Sequence, residues 1–376
     1  MPGRLVISLG LLMLGIYSGC SAPDAPSERS PMLDQIDWRI YQRQFISRDG
    51  RVIDTGRDRI SHSEGQGFGL LFAVAFEDRV LFDRIWSWTR DHLQVRDDHL
   101  FAWKWIAPAG GKSAGNRSRE ENGSARIADM NNATDGDILI AWALYRGGRR
   151  WGDPTLVDAA RAIVADLRKK VIRRTVYGPV LLPGEYGFDA DSGGDGSGAA
   201  MTVNLSYWVF PALDDFNRLD PDPIWNEVIE SGEKLITIAR FGRWAMPPDW
   251  LDLSVPLSIS RRFPARSGYD AIRIPLYLSW SGRSNAQIIS GHLAYFDHFD
   301  GASFLSAWTD LNDDTIDSRD AGQGFHAIAR LSREALSGGS AVENSAETWK
   351  RLDPQESYYS SSLFLLSKLA ASESLR

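Results

Sequence analysis

Four things are scarce in this chain of 376 residues, and each scarcity removes a class of protein. The single cysteine, Cys20, allows neither an internal disulfide nor a thiolate metal cluster, so fold and chemistry must work without sulfur. Basic residues are not in surplus. The formal charge is −7, which argues against a phosphate-backbone partner and hence against nucleic acid. No apolar run reaches the roughly 20 residues a membrane span needs. The best candidate, Leu5 to Tyr17, is about a dozen residues long and follows Arg4, the shape of a secretory signal. Alternating strand patterns are also rare, whereas apolar residues recur at helical spacing in many segments, so the expected class is all-α.

The segmentation follows from the amino end. Residues 1–19 read as a signal peptide, with the small residues Ser18 and Gly19 just before Cys20. Cys20 stands where bacterial lipoprotein signals are cut and lipidated, although Tyr17 occupies a place usually held by an aliphatic residue. The alternative is a chance cysteine after an ordinary signal. Residues 20–34, rich in Pro, Ser and Ala, are expected to form the lipidated cysteine and its flexible tether. An exported protein is predicted, in the periplasm or as an outer-membrane lipoprotein, touching the membrane only through a lipid anchor. Residues 35–376 exceed the roughly 150 per domain used as a prior. No low-complexity or charged linker interrupts them, so one large domain is expected.

Helical periodicity predicts eleven helices, near 36–46, 64–76, 78–93, 135–147, 154–173, 206–219, 223–240, 268–280, 284–298, 322–337 and 355–370. Three carry start signals: Asp78 before an apolar-periodic run, Asp153 before Pro154, and Ser63 with Gln66 at capping-box spacing. Long connections remain at 94–134, 174–205 and 241–267, lengths expected where loops build a site. The chain is also rich in flat rings, with Trp 14, Tyr 11 and Phe 16. Most must pack the core, but rings also suit stacking on sugar C–H faces.

Three segments place carboxylates where they could do chemistry. In Ser63-Glu64-Gly65-Gln66-Gly67-Phe68-Gly69 an acid opens a helix among alternate glycines, which either clear room for a ligand or merely let helices pack closely. A helix start favours the carboxylate anion, so a proton-donating Glu64 would need burial or a neighbouring negative charge to oppose the dipole. In Tyr269-Asp270-Ala271-Ile272-Arg273, Asp270 and Arg273 share a helical face, and the cation would keep Asp270 ionised as a base; an ordinary helix ion pair has the same spacing. In Thr134-Asp135-Gly136-Asp137 the two acids cannot share a face, so at most one meets a site and the other reads as a cap or a solvated acid.

Taken together, in this order and spacing, these segments resemble glycoside hydrolase family 8, and Leu182-Pro183-Gly184, Asn204-Leu205-Ser206-Tyr207 and Ser357-Tyr358-Tyr359-Ser360 extend the likeness over nearly the whole chain after the tether. The resemblance implies an (α/α)6 barrel of six inner and six outer helices, with the helix missing from our eleven between 299 and 353. It implies that 35–376 is a catalytic domain cutting β-1,4-linked glucan from the chain interior with inversion, Glu64 as acid and Asp270 as base. Asp135, Trp103, Tyr207, Tyr269 and Arg273 would bind the sugar. The likeness is nearest to periplasmic cellulases that accompany bacterial cellulose synthesis, which suggests association with a cellulose synthase complex. Chitosanase, lichenase and xylanase activities occur in the same family. The chain departs from the family pattern at Tyr145, Gly147 and Leu205, positions that concern packing.

No cofactor or metal is implied. The loop from Asp189 to Asp195 invites a calcium reading, but position 12 of such a loop would fall on Ala200. Gly111-Lys112-Ser113-Ala114-Gly115 satisfies the string of a serine-esterase elbow, yet Pro108 and Gly110 precede it and a polar loop follows, where a strand and a helix are required. A non-catalytic glycan-binding lipoprotein on the same barrel is the other rival, opposed by the presence of both Glu64 and Asp270.

Overall fold

Two kinds of helix recur along the chain, and their sequences show why. In α3 (Arg79–Leu93), Leu81, Phe82, Ile85, Trp88 and Thr89 make one buried stripe, while Arg79 and Asp83 pair in solvent at 2.8 Å, so this helix can bury only one side. In α2 (Ser63–Ala75) almost every residue from Gly65 to Val74 is buried, which requires protein on all sides. This second kind, α2, α4 (Thr134–Trp151), α8 (Arg273–Trp280) and α11 (Tyr358–Ser374), builds an inner ring together with α6 (Phe210–Leu219) and α10 (Gln323–Leu336), which bury one side only; each touches the next, and α11 closes on α2. Outside it, α1 (Gln35–Phe45) packs on α11, α3 on α2, α5 (Pro154–Lys170) on α4, α7 (Ile224–Ile238) on α6 and α9 (Ser290–His298) on α10. This is an (α/α)6 barrel. Each fully buried Leu, Ile or Phe stabilises it by about 1.5–3 kcal/mol before the entropy of ordering is counted.

The structure, a computed structural model, describes residues 32–107, 126–189, 200–300, 304–337 and 349–374, and Pro31–Arg376 form one unit. The signal stretch, Cys20, the 111–115 string and most of the Asp189–Asp195 loop lie outside the described residues. Within them are eleven helices, as the periodicity predicts. The interval 299–353 contributes only α10, already counted, so the twelfth helix expected there is not among the described residues.

The long connections hold what periodicity missed. Strands β2 (Lys104–Ile106) and β3 (Arg126–Asp129) lie in the first, β4 (Ile172–Thr175), β5 (Gly178–Leu181) and β6 (Thr202–Val203) in the second, and β7 (Leu251–Asp252), β8 (Ser258–Ile259) and β9 (Arg266–Ser267) in the third. With β1 (Ser61–His62) and β10 (Thr309–Asp310) they make four small antiparallel sheets, β1-β2-β3, β4-β5, β6-β7-β8 and β9-β10. At two to four residues each, they are too short to show alternation.

Three helices also begin four or more residues later than periodicity suggests, α6 at Phe210 after the 3-10 turn Leu205–Tyr207, and α8 and α9 as follows. Residues 284–289 form a turn in which Asn285 accepts from the N–H groups of Gln287 and Ile288, both at 3.0 Å, so α9 starts at Ser290. Residues 268–272 are likewise withheld from α8, for a reason that belongs to the site.

Candidate active site

The Glu64 half of the candidate site is built by two helix starts pressed together. A β-carbon on Gly136 of α4 would come within 2.1 Å of Ser63 Oγ and 2.7 Å of Glu64 N, and one on Gly67 within 2.6 Å of Leu139 Cβ. The bare backbones let α2 and α4 touch, which sets Glu64 and Asp135 into one space. The alternate glycines therefore serve helix packing, the plainer of the two readings. The expected Ser63–Gln66 capping box does not form. His62 caps α2 instead, its Nδ1 accepting from Gly65 N at 3.0 Å, while Gln66 turns inward to Val52 N (2.6 Å) and Thr89 Oγ1 (2.7 Å). Asp78 and Asp153 do cap α3 and α5.

Asp137 is neither a cap nor solvated. It is fully buried and accepts from Phe101 N (2.9 Å) and Asn132 Nδ2 (2.7 Å), tying two loops to α4. Asp135, on the opposite side, faces the site.

The Asp270 half has no helix under it. Asp270 sits in the 268–272 turn ahead of α8, and that turn is gripped by Asp249, a carboxylate 21 residues earlier in the chain. Asp249 Oδ1 accepts from Gly268 N (2.8 Å), Asp270 N (3.2 Å) and Ala271 N (2.9 Å), while Oδ2 accepts from Arg266 Nε at 3.0 Å. Backbone N–H groups committed to a side chain leave the helix to begin at Arg273.

Arg273 joins the halves. Nη1 meets Glu64 and, at 3.3 Å, Asp135; Nη2 meets Asp270 at 3.0 Å and donates to Ser206 Oγ at 2.9 Å. Asn204 accepts from both the N–H (3.1 Å) and the hydroxyl (2.7 Å) of Ser206, fixing that contact. The Arg273 side chain is 3% exposed and that of Asp135 5%, against 17% for Glu64 and 25% for Asp270. The cation and Asp135 thus form a floor, and Glu64 and Asp270 are the carboxylates that reach solvent.

One guanidinium cannot neutralise three carboxylates. Burial holds Asp135 well above the usual carboxylate range, and burial followed by the charges of Asp249 and Asp135 does the same to Asp270. The sequence-based expectation that Arg273 simply keeps Asp270 ionised is therefore corrected: the cation is divided, and the cluster retains protons that separate carboxylates would lose.

The aromatic candidates occupy different places. Tyr207, in a short 3-10 turn (Leu205–Tyr207), lies 5.9 Å beneath the Arg273 guanidinium and belongs to the centre. Trp103 does not touch the carboxylates; its carbonyl accepts from Ser63 N (3.1 Å), its N–H donates to Asn131 O (2.9 Å), and Asp129 holds its half-exposed indole at 2.8 Å, so it stands at the edge of both helix starts. Tyr269 packs edge-on against Phe325 and Tyr359, with Tyr359 Oη donating to its carbonyl. Sequence reasoning missed His62 and Asp249. His62 has a local signal, its place just before a helix start, whereas Asp249 between Pro248 and Trp250 has none.

With this geometry in view, three comparisons bear on identity. The family model described as Glycosyl hydrolases family 8 matches residues 10–373. A probable endoglucanase of Novacetimonas hansenii is 34% identical over 94% of this chain and 92% of its own length. Among solved structures, the endo-β-1,4-glucanase of Acetobacter xylinum aligns with a TM-score of 0.77 at 33% identity, over 93% of this chain and 99% of that one. An endoglucanase from Komagataeibacter sucrofermentans aligns at 0.76 and 36%, over 89% and 96%.

Proposed function

Because the chain belongs to family 8 of the glycosyl hydrolases, we propose that it hydrolyses internal β-1,4-glucosidic bonds of a cellulose-type glucan by inversion, with Glu64 as acid and Asp270 as base. The observation that carries this reading is the pair of solvent-reaching carboxylates on opposite nitrogens of one buried arginine. Inversion requires a water between such a pair, and the anomer first released reports whether one acts there. Asp270 takes a proton from that water as its oxygen attacks the anomeric carbon. The C–O bond breaks, and the proton of Glu64 goes to the departing oxygen. Arg273 and Asp135 hold the two carboxylates and the sugar between them, and Trp103, Tyr207 and Tyr269 bind neighbouring glucosyl units.

The test is the first anomer released. Proton NMR on a fresh digest of soluble β-glucan should show the α-anomer before mutarotation; initial accumulation of the β-anomer would remove Asp270 from the role of base. Digestion of carboxymethylcellulose, chitosan, lichenan and xylan in parallel fixes the substrate class. The same reading extends to place and company. Export by residues 1–19 and lipidation of Cys20 would hold the enzyme at an envelope membrane, where nascent glucan from a cellulose synthase complex is its substrate. The sequence features around Cys20 support the anchor, and the endoglucanase relatives support a β-1,4-glucan as the substrate. Cys20→Ala should move the protein from the membrane to the soluble envelope fraction, and a wild-type protein already soluble there would defeat the lipid anchor.

A further inference from the structure

Asp249 is 1% exposed, far from anything periodicity marked, and one of its two carboxylate oxygens is spent wholly on the segment that carries Asp270. Three N–H groups converging on one oxygen fix the backbone on either side of Asp270, which no helix does. Burial raises the proton affinity of this carboxyl while the N–H groups of Ala271 and Gly268 and the Arg266 cation favour its anion, and a neutral side-chain amide offers the same acceptor oxygen. Among the described residues the cation paired with Asp249 is Arg266, which bonds the oxygen facing away from the turn and is itself 33% exposed. An acidic group thus stands directly behind the proposed base.

We propose that Asp249 is the positioning residue of the base, orienting Asp270 through its own backbone and lending it the negative charge that makes it a stronger proton acceptor. The proposal rests on the reading of Asp270 as base and adds to it a second carboxylate that touches no substrate. A base with greater proton affinity draws harder on the attacking water. The other groups facing Asp270 act in both directions. Arg273 from α8 opposes Asp249, Asp135 from α4 reinforces it, and the Tyr207 and Tyr359 hydroxyls remain neutral there because burial pushes both upward. Glu64 competes for the same guanidinium, and Arg57 adds a positive charge from the loop after α1. Asp249 heads the charges that raise the proton affinity of Asp270, second only to burial.

The test compares Asp249→Asn and Asp249→Ala with wild type and with Asp270→Asn, measuring kcat and KM on a cello-oligosaccharide across pH. Asp249→Asn keeps the acceptor oxygen and loses the charge. Its KM should stay within about twofold, the acid limb of kcat/KM should move about one pH unit lower, and plateau kcat should fall about threefold to tenfold as the base weakens. Asp249→Ala loses the acceptor too, and kcat should drop by about 10² or more. An acid limb at the wild-type pH in a folded Asp249→Asn, or near-wild-type kcat in the Ala variant, would overturn the proposal. Should the Asn variant fail to fold, Arg266→Gln gives the opposite sign: removing the surface cation should carry the acid limb to higher pH, and an unmoved limb counts against Asp249. If Asp270→Asn itself retains hydrolysis, the base assignment fails and this inference falls with it, whereas an unmoved acid limb in Asp249→Asn beside an inactive Asp270→Asn overturns this inference alone, so the two failures are distinguishable.

Discussion

The half of this site that carries Glu64, the proposed acid, and the half that carries Asp270, the proposed base, solve the same problem with opposite materials. Glu64 stands on a helix start locked against another helix start, its neighbours within three or four residues in the chain or across a contact too tight for a methyl group. Asp270 stands on a turn that belongs to no helix, held by a buried carboxylate 21 residues away. Rigidity comes from secondary structure on one side and from a single long-range hydrogen-bonding group on the other. Arg273 then sets the distance between them. Changes on the acid side should therefore act through packing, and changes on the base side through charge.

The largest effect expected is loss of the acid itself. Glu64→Gln keeps size and polarity but has no proton to give, so kcat on soluble cellulose should fall by at least about 10² to 10⁴ with the fold intact by circular dichroism. A variant retaining a tenth of the rate would place Glu64 outside the chemistry. The packing claim comes next. Gly136→Ala puts a methyl where Ser63 Oγ and Glu64 N already stand, so α2 and α4 must part. Overpacking of this kind costs about 1–3 kcal/mol, and kcat should fall with the melting temperature because Glu64 moves away from Arg273. If stability drops while kcat holds, the two helix starts are not what places the acid. Smaller still is Trp103→Ala, which leaves both halves untouched and should raise KM for polymer several-fold with kcat little changed, on the order of 1 kcal/mol of binding.

The same contrast explains how much was legible beforehand. The helices could be read because each repeats its apolar stripe every three or four residues, and Asp78 and Asp153 could be read as caps because a cap acts on its immediate neighbours. Glu64 and Asp135 stood out as acids opening apolar helices. Nothing local marks Asp249, since its partners lie 19, 21 and 22 residues away. His62 displaced the Ser63 capping box because Ser63 already lies inside the helix, with its hydroxyl buried against α4. The closed ring of six inner helices came from the family resemblance and not from periodicity, because periodicity says which face is buried and not which neighbour covers it.

The smallest effect has its sign fixed by the electrostatics of the base half. Asp270 has a folded-state proton affinity above its unfolded one, caused by burial and then by Asp249 and Asp135. Such a group stabilises the fold fully only below its unfolded pKa, and that contribution is lost as pH rises through the higher folded value. Near neutrality, where the unfolded chain would ionise Asp270 and the fold resists it, this carboxyl is thus a burden on the fold that its proposed function requires, the usual trade at a charged site. Asp270→Asn removes the charge and keeps the shape, so it should abolish hydrolysis yet raise the melting temperature, by about 1–2 °C for an effect on the order of 1 kcal/mol in a domain of this size. The gain should shrink as pH falls toward the ordinary carboxylate range of about 4, because wild-type Asp270 is then protonated as well. Scanning calorimetry across pH reads both trends. A gain that grows on acidification would mean the Arg273 pair outweighs Asp249 and Asp135, and the base half would then be held by attraction, as the acid half is held by packing.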